Sequence, residues 1–251
     1  MRIISIFVQL LFVILLFSCE KHEINNAKPE NVVQIITNHF IKNKNVDPEA
    51  DVLISSVKAV SLLDTNDVIP QVIFQANSLN RQFVGDVYFN EMKIPFNYGY
   101  YYIDFNNSQY SNVEILGKDS KVEIFGSSEF SGLRLIEYCP QAIKYRFEGI
   151  IDRNRYNLDG FDIIWDVDSK NIEEPILIII SAENREGVVT KLIECEETKG
   201  KLKLEADVLS QFSGYDVMHI YVARGKSQII WFNQKMIRFT VINYTWSKLF
   251  R

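Results

Sequence analysis

FDIIWDVDSKNIEEPILIIISA, Phe161–Ala182, decides the fold class. It opens with a short run rich in aromatic and β-branched residues and carrying Trp165. It then passes through a polar, acidic stretch and closes on an apolar run around Ile176–Ile180. Such runs, bounded by turn-forming residues, read as strands. The same grammar extends outward in both directions. VLISSVKAV, QVIFQA, VGDVYF, YGYYYIDF, KVEIF and LRLIEY precede it, and VVTKLIE, KLKLEADV, DVMHIYVA and SQIIWF follow it. Many of these alternate. In KVEIF, Val122 and Ile124 share one face while Lys121, Glu123 and Phe125 share the other. From about residue 52 no long helical period interrupts them, and no glycine-rich strand-to-helix turn marks a nucleotide site. The expected fold is mainly β, with one or two β-sandwich domains.

Composition agrees with a folded body. The chain has 251 residues, 47% apolar and 24% charged, with a formal charge of −5. An acidic balance argues against a nucleic-acid partner, which would call for a basic face.

The amino-terminal end has a different character. Arg2 is followed by an almost wholly apolar run, Ile3–Phe17, and then by Leu16-Phe17-Ser18-Cys19 and the charged segment Glu20-Lys21-His22-Glu23. As a helix this run would extend about 22 Å, short of a membrane core of about 30 Å, so it reads as a secretory leader and not as a permanent span. Leu16 three before the cysteine, Ser18 immediately before it and Cys19 itself resemble the lipobox of bacterial lipoproteins. The charged residues after Cys19 resemble those of Bacteroidetes-type envelope lipoproteins. That resemblance implies cleavage after residue 18, acylation of Cys19, and a protein held in the cell envelope by lipid. The expected place is the outer membrane, at its periplasmic face or the cell surface.

Residues 19–31 are polar and read as a lipidated tether. In VVQIITNHFIKNK, Val32, Ile36 and Phe40 fall at helical spacing, predicting a short helix over 32–44. A polar loop, 152–160, then separates a β-rich unit over 52–151 from a second unit over 160–251. In the second unit, Trp165 on its strand, the acidic loop after it and the closing run Val222-Ala223-Arg224-Gly225 resemble immunoglobulin-like sandwich units of envelope lipoproteins. The resemblance implies a strand ending at Arg224–Gly225 and no particular activity.

Few residues point to chemistry. With Cys19 lipidated, Cys139 and Cys195 remain, 56 residues apart in an envelope where a disulfide is permitted. Such a bridge would contribute roughly 4 kcal/mol; the alternative is two buried thiols. Phe96–Phe105 is dense in aromatics, and Tyr98, Tyr100 and Tyr102 would share one strand face as a candidate stacking platform for a glycan; the alternative is that they pack and pair within sheets. Asp162, Asp166 and Asp168 would share a face if the strand stayed extended, but they lack the spacing of a calcium loop. Glu194–Thr198 reads as a solvated hairpin flank. The aromatic, basic carboxy-terminal segment, 227–251, reads as strands docked on the sandwich; the alternative is a membrane-surface or partner-binding segment. No catalytic, metal or cofactor set is assigned.

The expected function is therefore that of a lipid-anchored, non-enzymatic binding or scaffold module, with the membrane and a glycan or envelope protein as partners. The alternatives are a carbohydrate-active component, either a glycan-binding protein or a hydrolase with dispersed carboxylates, and a structural subunit of a surface or secretion assembly.

Overall fold

The computed structural model describes residues 21–24, 32–41, 50–59, 71–78, 84–97, 100–104, 115–127, 132–152, 154–184, 187–232 and 235–251. Cys19 and Tyr98 lie outside them. The chain is mainly β, and its named strands pair antiparallel except at one parallel pairing inside the largest sheet.

In chain order the elements are β1 (Lys21–Ile24), α1 (Val32–Phe40), β2 (Ala50–Ala59), β3 (Gln71–Ser78), β4 (Val87–Phe89), β5 (Met92–Ile94), β6 (Phe96–Asn97) and β7 (Tyr100–Asp104). There follow β8 (Asp119–Ile124), β9 (Leu133–Tyr138), β10 (Tyr145–Glu148), β11 (Gly160–Trp165), β12 (Pro175–Asn184), β13 (Gly187–Glu196), β14 (Lys201–Glu205), α2 (Ala206–Ser210), β15 (Val217–Phe232) and β16 (Lys235–Phe250). A nine-stranded sheet runs β1-β13-β12-β15-β16-β2-β3-β7-β6. Two smaller sheets, β5-β4-β8-β9 and β10-β11-β14, complete the set.

The spine is the β15–β16 hairpin, whose sixteen-residue strands pair from Val217↔Phe250 to Phe232↔Lys235. Side chains alternate along a strand, so Ile237, Phe239, Val241, Asn243, Ser247 and Leu249 share one face of β16. The first three pack with Val87, Phe89, Val122 and Leu133 beneath the four-stranded sheet. Leu249 packs instead with Phe161, Ile163, Trp165 and Leu204 of the three-stranded sheet, in a core that also takes Met218, Ile220 and Val222 from β15. One face of one hairpin thus carries two cores end to end. Two sheets draw strands from both sides of the loop at 152–160: in the nine-stranded sheet β2 pairs in parallel with β16, and in the three-stranded sheet β10, before the loop, pairs with β11.

The opposite face of the sheet is covered by α1. Val32, Ile36 and Phe40, the residues at helical spacing, are all buried, against Leu177, Ile179, Leu192, Ala223, Ile242 and Tyr244. The unbroken apolar run of β12 follows from this. Ile176, Ile178 and Ile180 face the three-stranded sheet while Leu177 and Ile179 face α1, so no position is left for a polar residue. The four residues Lys21–Ile24, expected in the tether, form an edge strand on β13 with Lys21 opposite Ile193.

The strand expected to end at Arg224–Gly225 does not end there. Gly225 lies inside β15, where a Cβ would fall 2.7 Å from Cγ of Phe40 and 2.9 Å from the carbonyl oxygen of Val241. The glycine is the seat on which α1 rests its last aromatic ring, a close approach and not a turn. Gly225→Ala is therefore expected to destabilise the fold by about 1–3 kcal/mol by lifting Phe40 off the sheet, read as a lower urea midpoint with unchanged slope. A midpoint equal to wild type would show that α1 does not pack there.

Candidate functional site

Where the two cores meet on the hairpin, the apolar face is interrupted by Arg224 and, directly opposite on β16, Asn243. Both are buried, Arg224 completely. Two segments close over them. One is residues 139–144, which carry the chain from β9 of the four-stranded sheet to β10 of the three-stranded sheet. The other is the loop 166–174 together with the 3-10 turn Glu197–Lys199. Arg224 grips Glu197 with both arms of its fork, Nε to Oε2 at 3.0 Å and Nη2 to Oε1 at 2.6 Å. Its remaining donors go to backbone, Nη1 to the carbonyl of Gln141 at 3.1 Å and Nη2 to that of Asp166. Asn243 donates to the same Gln141 carbonyl at 2.7 Å.

A second buried carboxylate extends the network. Asp168 accepts from the backbone N–H of Gln141 at 2.8 Å and from the hydroxyl of Tyr138 at 3.0 Å, while its own N–H donates to Glu197 Oε1 at 3.0 Å. The indole N–H of Trp165 donates to the Glu197 carbonyl at 3.2 Å. Burial first, and then the hydrogen bond to Asp168, push the Tyr138 hydroxyl up to about 12, so it stays a donor. Lys170 Nζ lies 4.9 Å over the Tyr138 ring, and Lys226 on β15 reaches Glu137 on β9 at 3.0 Å. An ion pair of this depth is tolerable only when its other donors and acceptors are met, and the fork of an arginine suits that task where a lysine would not. The arrangement ties the crossover 139–144 to the middle of the hairpin. Its polar atoms face one another, which suits a structural clamp and leaves little for a substrate.

Several expectations are redrawn by this geometry. Glu194–Thr198 is no uniformly solvated flank, because Glu197 within it is fully buried as the partner of Arg224. The three aspartates do not converge. β11 ends at Trp165, so alternation stops: Asp162 pairs with Lys201 at 2.8 Å, Asp166 is exposed and accepts from the N–H of Lys144, and Asp168 turns inward. Among the described residues no group of three or more His, Cys, Asp or Glu side chains is placed to hold a metal.

Cys139 and Cys195 are two buried thiols and not the halves of a bridge. Each sits in a different core, Cys139 under the four-stranded sheet and Cys195 on β13 under the three-stranded one. Burial pushes the Cys139 thiol up to about 11, which keeps it protonated and unreactive at neutral pH.

Of the tyrosine-rich run, Tyr100 and Tyr102 lie on β7 opposite Asn97 and Gln75. Tyr101 is buried, accepting from the N–H of Val84 at 3.0 Å and donating to the carbonyl of Gly85. A second aromatic row, made by pairing β15 with β16, went unseen in the sequence. On the α1 side of the sheet, His219, Tyr221 and Trp246 are half-buried neighbours, with Tyr221 packed against the cluster that holds Val32, Ile36 and Phe40. The Tyr221 and Trp246 rings stack at 6.2 Å and 30°, and His219 lies 5.6 Å from Trp246. Burial first, and then Lys248, lower the His219 pKa, so the imidazole is neutral at pH 7 and offers one donor and one acceptor. Elsewhere, a cleft of 240 Å³ is lined by Ile172, Glu173, Glu174, Glu194, Cys195 and Glu196.

Comparison with models of protein families, with curated proteins and with solved structures finds no match to this chain.

Arg224→Met is expected to cost about 3–5 kcal/mol in urea unfolding, because Glu197 is left charged, buried and unpaired. Adding Glu197→Leu is expected to recover more than half of that loss. A double variant no more stable than the single one would mean that the pair does not act as a unit.

Proposed function

We propose that this chain is a lipid-anchored cell-envelope protein whose β body serves as a binding or scaffold module without catalytic chemistry of its own. The observation that carries the reading is the run Leu16-Phe17-Ser18-Cys19 after a leader too short to span a bilayer. Acyl chains on Cys19 would hold the body firmly, since two chains give stable anchoring where one is marginal. The reading gains support from three of the buried charged groups, Arg224, Glu197 and Asp168, whose charged atoms are taken up by partners within the fold. The expected location is the outer membrane, at its periplasmic face or the cell surface. Metabolic labelling with a clickable fatty acid is expected to mark the wild-type protein and not a Cys19→Ala variant. Label retained by the variant would reject lipidation at this position.

The aromatic row favours a second reading, in which the body binds glycan. Rings of Tyr221 and Trp246 beside the neutral imidazole of His219 combine flat apolar surface with a hydrogen-bonding group, the mixture a sugar ring requires. Affinity electrophoresis through gels containing soluble polysaccharides is expected to retard the wild type and to release Trp246→Ala by at least about tenfold in apparent Kd, the loss that about 1.4 kcal/mol of stacking represents. Equal mobility of the two proteins in every polysaccharide would remove this reading.

A further inference from the structure

Lys248 stands directly across the spine hairpin from His219, on the same face of β16 as Trp246 and two residues from it, about 7 Å along the strand. Its ammonium lies 5.0 Å over the ring of Phe250, the next residue on that face, so the exposed lysine is held beside the aromatic row. Elsewhere Lys121, Lys201 and Lys226 each meet a carboxylate at 2.7–3.0 Å. Among the described residues no carboxylate comes within ion-pair distance of Lys248. In a chain of formal charge −5, a cation beside three ring side chains has been left uncompensated.

The rings bring hydrogen-bonding groups that are also unused. Among the described residues, the Tyr221 hydroxyl, the Trp246 indole N–H and both ring nitrogens of His219 have no hydrogen-bond partner, and none of them is shut off from solvent. The hydroxyls of Ser181 and Thr190, next to His219 across β12, behave differently and bond one another at 3.1 Å. This part of the surface is thus the reverse of the Arg224 clamp, where the polar atoms face each other. One acidic residue is close: Glu183 is exposed and lies two residues beyond Ser181 on β12. Burial has the largest effect on the His219 imidazole and lowers its pKa; Lys248 lowers it further, and Glu183 opposes this by less. The local field at the row is therefore set more by the lysine than by the glutamate.

We propose that the row binds an acidic glycan, with a sugar ring laid on Tyr221 and Trp246 and its carboxylate drawn to the ammonium of Lys248. The proposal rests on the glycan-binding reading and adds the charge of the ligand to it. Flat rings take the apolar face of a pyranose, while the imidazole, the phenol and the indole N–H serve its hydroxyl groups. Lys248 supplies a charge that a neutral sugar would leave unmet, and a lysine reads an anion as a point charge.

Affinity electrophoresis of the full chain at low ionic strength, where exposed charges are least screened, tests this in gels holding acidic and neutral forms of the same polysaccharide. The pairs are polygalacturonate and its methyl ester, alginate and its propylene glycol ester, and hyaluronate and its methyl ester. The wild type is expected to bind the acidic member of at least one pair about three- to fivefold more tightly than the ester, the gain of one exposed ion contact. Lys248→Gln is expected to bring that ratio to about one, and Lys248→Arg to keep it. The lysine is exposed, so neither change disturbs packing. A wild-type ratio near one in every pair, a preference for the esters, or a preference that survives Lys248→Gln overturns the proposal. Retention of the wild type on both forms, lost in Trp246→Ala but with a ratio near one, leaves the glycan reading standing and removes the charge assignment alone. No retention of the wild type in any gel removes both.

Discussion

The bidentate pair between Arg224 and Glu197 is the constraint on which the rest of the structure depends. It sits at the one place where the two small sheets meet along the same face of the same hairpin, and where apolar packing alone would leave three backbone segments with unmet polar groups. Arg224 occupies the carbonyls of Gln141 and Asp166, Asp168 meets the N–H of Gln141, and Glu197 meets the N–H of Asp168. Burying these ions is costly, and it is offset only because nearly every donor is matched. The return is geometric: the crossover 139–144 is held against β15 and β16, so the four- and three-stranded sheets keep a fixed relation to the spine. Hydrophobic contacts are not directional and would not fix that relation as sharply.

Around that point the long hairpin organises everything else. Its one face carries two cores in series, and its other face carries α1, whose Phe40 ring rests on Gly225 one residue from the clamp. Helix, spine and small sheets are therefore joined within a few residues of β15. The Arg224-Gly225 dipeptide performs both tasks, the arginine tying the layer on one face and the glycine admitting the helix on the other.

Much of the fold was legible in the sequence because it follows from local pattern. The period of Val32, Ile36 and Phe40 marked a helix, and alternation in runs such as KVEIF marked strands with one buried face. The features that were not legible all depend on distant partners. Glu197 looks solvent-facing within Glu194–Thr198 because nothing nearby in sequence hints at Arg224, 27 residues on. Arg224-Gly225 reads as the end of a strand because charge and glycine usually break one, and only the burial of both explains the continuation. The three aspartates would share one face of an extended chain, but the strand ends at Trp165. The row of His219, Tyr221 and Trp246 exists only through the β15–β16 register, whereas the more conspicuous tyrosine run places Tyr101 in a core.

A body clamped in this way is suited to holding a surface in fixed orientation, which is what the proposed binding or scaffold role would need. The claim that one buried pair unites the two cores is tested most directly by native-state hydrogen exchange, following peptides from β8 and β9 alongside peptides from β11 and β14. In the wild type both sets are predicted to open together, with the free energy of global unfolding, and in Arg224→Met the sets are predicted to separate. Two independent openings already present in the wild type, or a single shared opening retained in the variant, would contradict the account.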